Sequence, residues 1–390
     1  MGVTVPDGQV YLDNAATSFP KPERVNIAVA EAVKEVSLTV GRGKYFSRLN
    51  PDEIVARTRV KLARLFNVKD PHNIIFTYSA TDGINLALFG LLSEGDEVLI
   101  SHLEHHAVSR ALHYLKKHRG VNFSPIPSDE NGRVIPEAIE GLLSERTSLI
   151  CINHVSNVSG TIQPLKEIGQ IAKLHGIPFM VDAAQSAGCH HIDVQEMNIS
   201  ILAAPGHKSL LGIPGTGVLY LADGIRPRPL RVGGTGTHSH LYELPAEMPI
   251  FYESGTPNVL GIIALDSALE FIFEVGLDKI QRVTNEKHQR ILTHLLNHPR
   301  ISIVGPKDFS LRCGPIAFNI EGHDTITIGS ILAEHYHIAN RAGLHCSPMT
   351  HEFFGTLKLG GAVRVSPAFL TPDEQIDYFI AVIDELINSL

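Results

Sequence analysis

Through the first two thirds of the chain, short apolar runs alternate with amphipathic stretches of helical period, and this alternation is the strongest constraint on the fold. Strand runs are read at Glu97–Ile100, Val121–Ile126, Ser148–Ile152, Ile177–Val181, Ile199–Ala203 and Gly217–Leu221. Between and before them, helical patterns cover Pro22–Val36, Asp52–Phe66, Gly83–Leu92, Ala107–His118, Ile135–Leu143 and Leu165–His175. Parallel strands need a crossover, usually a helix, so this order predicts an α/β fold with a mostly parallel sheet and helices on both faces. Strands buried on both faces are apolar throughout, as these are.

The pattern changes after residue 222. Arg226-Pro227-Arg228-Pro229 and Gly233–Thr237 are connector material. Long helical patterns at Val259–Val275 and Asp278–Leu296 precede strands at Ile301–Val304 and Ile316–Ile320. A helix at Thr325–His335, a strand at Ala362–Ser366 and a terminal helix at Pro372–Leu390 follow. The expected organisation is an N-terminal segment 1–20 packing near a small domain, a large domain 21–258 and a small α+β domain 259–390. The 390 residues suffice for two such units.

A net charge of -8 with no Lys/Arg run argues against a nucleic-acid footprint. No apolar run reaches membrane-span length, and the N-terminus lacks a basic region followed by an apolar stretch, so the expected location is the cytoplasm. The four cysteines form no CxxC pair. Cys151 and Cys189 read as core thiols, Cys313 is ambiguous, and Cys346 falls in a Gly- and Pro-flanked loop.

Chemistry-bearing residues gather after the strand runs. Lys208, in Gly206-His207-Lys208, follows Ile199–Ala203, and a lysine at such a strand end is a candidate Schiff-base former. Asp182 ends Ile177–Val181, where an acid suits the ring nitrogen of a pyridine cofactor. His105 follows Glu97–Ile100. It suits stacking or proton transfer, while a structural histidine and a metal pair of His102 with His106 stay open as readings. Asn153–Asn157 follows Ser148–Ile152, so four successive strand ends carry polar groups and predict one site at the carboxyl edge of the sheet. Ser79-Ala80-Thr81-Asp82-Gly83 opens a helix and offers a weak phosphate signal. Arg341–Pro348 sets Cys346 near Arg341 and His345, and a thiol near such cations can have a lowered pKa. Arg364, on an apolar strand, calls for an anionic partner, either a structural carboxylate or a substrate one. Neither glycine-rich stretch, Gly212–Gly217 or Gly233–Gly236, has the spacing of a nucleotide loop. No metal-ligand set is read.

The motifs LDNAAT, EHHA, HVSN, VDAAQS, GHK, ESGTPN and RAGLHC occur in that order from Tyr11 to Ser366. With them the chain resembles class V, fold-type I pyridoxal-phosphate enzymes, more narrowly the cysteine desulfurase and selenocysteine lyase family. The resemblance implies that Lys208 carries pyridoxal 5'-phosphate, Asp182 pairs with its ring nitrogen, Gln185 touches the ring hydroxyl and His105 stacks on the ring. Asn157 would flank ring or substrate, Thr81 and His207 would hold the phosphate, and Thr256 would reach the phosphate of a second subunit, implying a homodimer. Arg364 and Arg341 would bind the substrate carboxylate. Cys346 would accept sulfur from L-cysteine and pass it to a protein acceptor, in a setting similar to the short-loop desulfurases. A selenocysteine lyase, epimerase or aminotransferase of the same fold is the alternative, and a catalytically silent partner subunit is the rival from another class. The chain departs from the family pattern at Pro205, Ala80 and Gly41.

Overall fold

The computed structural model describes residues 8–34, 40 and 49–390. In chain order the strands are β1 (Val10–Tyr11), β2 (Ile74–Thr77), β3 (Glu97–Ile100), β4 (Asn122–Pro125), β5 (Thr147–Asn153), β6 (Phe179–Asp182), β7 (Ile201–Pro205), β8 (Gly217–Leu221), β9 (Ile301–Val304), β10 (Ile316–Ile320), β11 (Ile338–Ala339), β12 (Arg341–Gly343) and β13 (Ala362–Val365). The helices are α1 (Glu23–Ala32), α2 (Pro51–Phe66), α3 (Ala80–Leu91), α4 (His106–Arg119), α5 (Leu165–Leu174), α6 (Val259–Val275), α7 (Leu277–Leu296), α8 (Thr325–Ser330), α9 (Pro348–Phe353) and α10 (Asp373–Ser389).

Seven strands form one sheet in the order β2-β8-β7-β6-β5-β3-β4. Pairs from β7 to β4 are parallel, and β8 runs antiparallel to both neighbours. Alternate side chains leave opposite faces of a strand, and both faces are covered here. Leu99, Ile150, Val181 and Leu202 join one core with α2, α5 and α6, whereas Val98, Leu149, Met180 and Ile201 join another with α3 and α4. This double burial explains the continuous apolar runs.

The antiparallel sheet β12-β13-β10-β9 is covered by α7 and α10 through Leu292, Leu295, Phe379 and Val382. The N-terminal segment reaches the same core with Val10 and Leu12, and β1 pairs with β11.

Some expectations differ from the structure. Ile135–Leu143 is two short 3-10 turns, Pro136–Ala138 and Glu140–Leu142, in keeping with a proline at its start and Gly141 inside. Strand β2, Ile74–Thr77, was not among the strands read from the sequence. Strand β12 went unread because Arg-Ala-Gly has poor strand propensity, and it survives as an edge strand. The end of the expected first helix, at Glu35 and Val36, and the Gly41–Tyr45 segment lie outside the described residues. Among the described residues no helix is long and apolar enough to cross a membrane.

Candidate active site

The carboxyl ends of β3, β5, β6 and β7 converge with the start of α3 on a cavity of about 260 Å3. Thr81, His105, Asn157, Asp182, Gln185, His207, Lys208, Arg341 and Arg364 all line it. Arg341 and Arg364 come from the small sheet, so the cavity is closed by both sheets.

Lys208 sits in the turn between β7 and β8, where Gly206 N–H donates to Thr216 O at 2.9 Å and Leu211 N–H to Lys208 O at 2.8 Å. A Cβ on Gly206 would lie 2.5 Å from Thr216 Oγ1, so only glycine closes this turn without displacement. The N-terminal segment clamps the turn from outside. Ser18 Oγ donates to Lys208 O at 2.9 Å, and Lys21 Nζ donates to His207 O at 2.7 Å. Burial pushes the Lys208 amine down to about 8, against an opposing pull from Asp182.

Asp182 is 3% exposed, and burial raises its carboxyl above the ordinary range. Its Oδ1 accepts from Ala184 N–H at 2.9 Å, and among the described residues no donor reaches Oδ2. His105 caps α4, with Nδ1 accepting from Ala107 N–H at 3.0 Å. That bond leaves the ring proton on Nε2. Burial, reinforced by Lys208, pushes the His105 pKa down to about 4, so the ring is neutral at neutral pH.

The helix α3 begins at the cavity with Ser79 Oγ accepting from Asp82 N–H. Asp82 is matched by Arg231 at 3.1 Å, which leaves the positive helix end and the Thr81 hydroxyl available to an anion. His207 adds its ring, with Nδ1 3.1 Å from Thr17 Oγ1. Gln185 Nε2 spends one proton on Ala15 O at 3.0 Å and keeps a second.

Arg364 is 2% exposed. Nη2 meets Asp13 Oδ1 at 2.6 Å, Nη1 donates to Asn157 O at 2.9 Å, and Nε has no partner. Its structural carboxylate is therefore Asp13, and one buried donor remains unsatisfied. Arg341 has no carboxylate partner among the described residues, and its Nη2 lies 3.8 Å from Cys346 Sγ.

Cys346 is exposed outside the cavity lining, on a short anchored loop. Its carbonyl accepts from His106 N–H at 2.7 Å. Asn157 Nδ2 donates to His345 O at 2.7 Å and Asn157 Oδ1 accepts from Ser347 Oγ at 2.8 Å. Both ends of the Asn157 amide thus hold the loop, and Nδ2 keeps a second proton. His345 and Cys346 both have positive φ, 52° and 57°, a conformation that costs non-glycine residues and persists only where contacts enforce it. Thr256 is not in the cavity. It is exposed, with its carbonyl 3.3 Å from the Tyr78 hydroxyl.

Several site residues were not singled out by sequence. Asp13 lies inside the quoted LDNAAT motif without a role read for it, and Lys21 lies just beyond that motif, because their partners Arg364 and His207 are 351 and 186 positions away. Glu104 is fully buried beneath the strand ends. Its Oε1 accepts from Ser101 Oγ at 2.6 Å and Asn153 N–H at 2.9 Å, Oε2 has no partner, and burial pushes its pKa up to about 8. Cys189 and Cys313 are both buried and lie beside each other, so Cys313 is a core thiol.

The chain belongs to the class-V aminotransferase family, whose model matches residues 10–379. More particularly, it is 34% identical to a probable cysteine desulfurase of Methanothermobacter thermautotrophicus, over 97% of this chain and 94% of that protein. It is 36% identical to a probable cysteine desulfurase of Halalkalibacterium halodurans, covering 87% and 84% of the two chains. The solved apo structure of a cysteine desulfurase from Thermococcus onnurineus superposes with a TM-score of 0.90 at 29% identity, covering both chains fully.

Enzymes of this family depend in general on pyridoxal 5'-phosphate. The cavity fits that group. A buried carboxylate with one free oxygen suits a protonated ring nitrogen, and the α3 N-terminus suits a phosphate. A lysine amine with a lowered pKa suits the aldehyde.

Proposed function

We propose that this chain is a pyridoxal 5'-phosphate-dependent cysteine desulfurase that takes sulfur from L-cysteine onto Cys346 as a persulfide and releases L-alanine. One observation carries the reading: an exposed thiol with a guanidinium 3.8 Å away stands at the rim of a cavity lined by Lys208 and Asp182. The names of relatives 34% and 36% identical support it.

The cofactor supplies an electron sink at the substrate Cα. Lys208, Asp182, Gln185 and His105 would hold its ring, and Thr81, His207 and the first N–H groups of α3 would hold its phosphate. Arg341 and the free Nε–H of Arg364 receive the substrate carboxylate. Lys208 Nζ takes the Cα proton, and His105, neutral and protonated on Nε2, closes one face of the site. Cys346 attacks as thiolate. Its sulfur bonds to the substrate sulfur, the Cβ–S bond breaks, and the electron pair stays with the three-carbon fragment, which takes a proton to become alanine. The short anchored loop favours the short-loop group. Exposure of Cys346 suits onward transfer to a protein acceptor, and exposed Thr256 suits a homodimer in which it serves the partner's phosphate.

The test is incubation with L-cysteine followed by mass spectrometry of the Cys346 peptide. One added sulfur atom, lost in Cys346→Ser with cofactor absorbance retained, is expected. Undiminished desulfuration by Cys346→Ser, or keto-acid formation with an unmodified thiol, would overturn the assignment.

A further inference from the structure

Neither α7 nor α10 lines the cavity, and the two lie side by side over the small sheet. Their facing stripes advance together: Arg290 pairs with Asp373 at 2.9 Å and with Asp377, and one turn on, His294 and His298 face Asp384. His294 Nε2 and His298 Nε2 each lie 3.0 Å from the same Asp384 Oδ1, and 3.1 Å from each other. Three ligand-type atoms, from the last turn of α7, the segment just past its end and α10, therefore mark the corners of a nearly equilateral triangle.

Neutral Nε2–H tautomers of both rings can donate to Asp384 Oδ1, but their protons then crowd each other across an N–N gap of 3.1 Å. A cation satisfies all three together. With metal–ligand bonds of about 2.1 Å, neighbouring ligands stand about 3.0 Å apart in octahedral and about 3.4 Å apart in tetrahedral coordination. The observed sides are of that size, so little movement is needed to accept an ion. The helices are held by Leu292, Leu295, Val382 and Leu386 in the core beneath, so the ordering cost is already met by packing.

We propose that His294, His298 and Asp384 form a binding site for one divalent transition-metal cation of the zinc or nickel type, linking α7 to α10. Two imidazoles with one carboxylate select such ions over magnesium or calcium, which take oxygen ligands. The imidazole side chains are 21% and 19% exposed and the aspartate 49%, so the ion enters from solvent and completes its shell with water. Two histidines four apart at the end of α7, His294 in its last turn and His298 just beyond its cap, carry the sequence signal. Their third ligand is 86 residues further on, which is why sequence reading passed over them.

The test uses the full-length holoprotein, dialysed against chelator and titrated with Zn2+ in competition with a chromophoric chelator. Variants His298→Ala and Asp384→Asn are titrated in parallel, with cofactor absorbance as the check on folding. Both variants should lose, or bind at least about tenfold more weakly, one zinc equivalent that the wild type holds. Zn2+ should also raise the unfolding midpoint of the wild type and not of His298→Ala. Zinc binding unchanged in both variants, or no wild-type uptake at zinc on the order of 100 μM, would overturn the proposal.

Discussion

Replacing Asp13 by Asn tests whether the N-terminal segment positions the buried arginine. Asp13 Oδ1 stands 2.6 Å from Arg364 Nη2, with Arg364 at 2% and the Asp13 side chain at 19% exposure. Two unit charges about 4 Å apart at an effective dielectric of 20 attract by about 4 kcal/mol. Removing one partner of a buried pair costs about 3–5 kcal/mol because the other charge is stranded. Partial exposure of Asp13 places the expected loss at the lower end, about 3 kcal/mol. With an unfolding entropy of about 2.1 cal/mol/K per residue, that loss lowers Tm by about 4 °C for a chain of 390 residues. The double variant Asp13→Asn/Arg364→Met should be more stable than Asp13→Asn alone by about 2 kcal/mol, since no charge is left stranded. The assay is urea unfolding of the wild type, both single variants and the double variant. KM for L-cysteine, measured alongside, should rise in Asp13→Asn more than kcat falls. A loss below about 0.5 kcal/mol in Asp13→Asn, or a double variant no more stable than that single one, would refute the reasoning.

Capture of pyridoxal 5'-phosphate by cofactor-free protein should follow the neutral fraction of Lys208. With its pKa at about 8, the rate should rise about tenfold from pH 7 to 9 and then level, whereas an ordinary lysine would give about a hundredfold rise without a plateau. Stopped-flow absorbance distinguishes the two. For Glu104, the folded pKa of about 8 lies above the ordinary 4.5, so the folded state binds its proton more tightly than the unfolded. Its stabilising contribution is full below the unfolded pKa and is lost as pH rises toward 8, costing about 3 kcal/mol between pH 5 and 7.5. Glu104→Gln should remove that slope in urea midpoints, and parallel slopes would count against the protonated acid. Gly206→Ala drives a Cβ to 2.5 Å from Thr216 Oγ1. It should speed cofactor loss on dialysis, and Thr216→Ala in the same chain should restore retention. Equal retention in Gly206→Ala and wild type would mean that the turn yields easily.

Much of the large sheet was legible because its strands obey local rules. Glu97–Ile100 and Gly217–Leu221 were read with the bounds they have, and β5, β6 and β7 within two residues at each end, since a doubly buried strand must be apolar along its whole length. The convergence of His105, Asn157, Asp182 and Lys208 was legible for the same reason: strand ends of one parallel sheet share an edge. The functions of Asn157 and Arg364 were less so. Their amide and guanidinium contacts, to Ser347, His345 and Asp13, cross between sheets and carry no local period.

What the amino-acid order determined by itself was the period of each element, the polar groups at its ends, and the family motifs those groups spell. What only the tertiary structure decided was which partner each charge received. Asp13 reaches Arg364 across 351 positions, His294 and His298 meet Asp384, and Glu104 lies far enough from water to keep its proton. Burial and charge pairing depend on distance in space and on the surrounding dielectric. Neither quantity exists along a chain until it has folded.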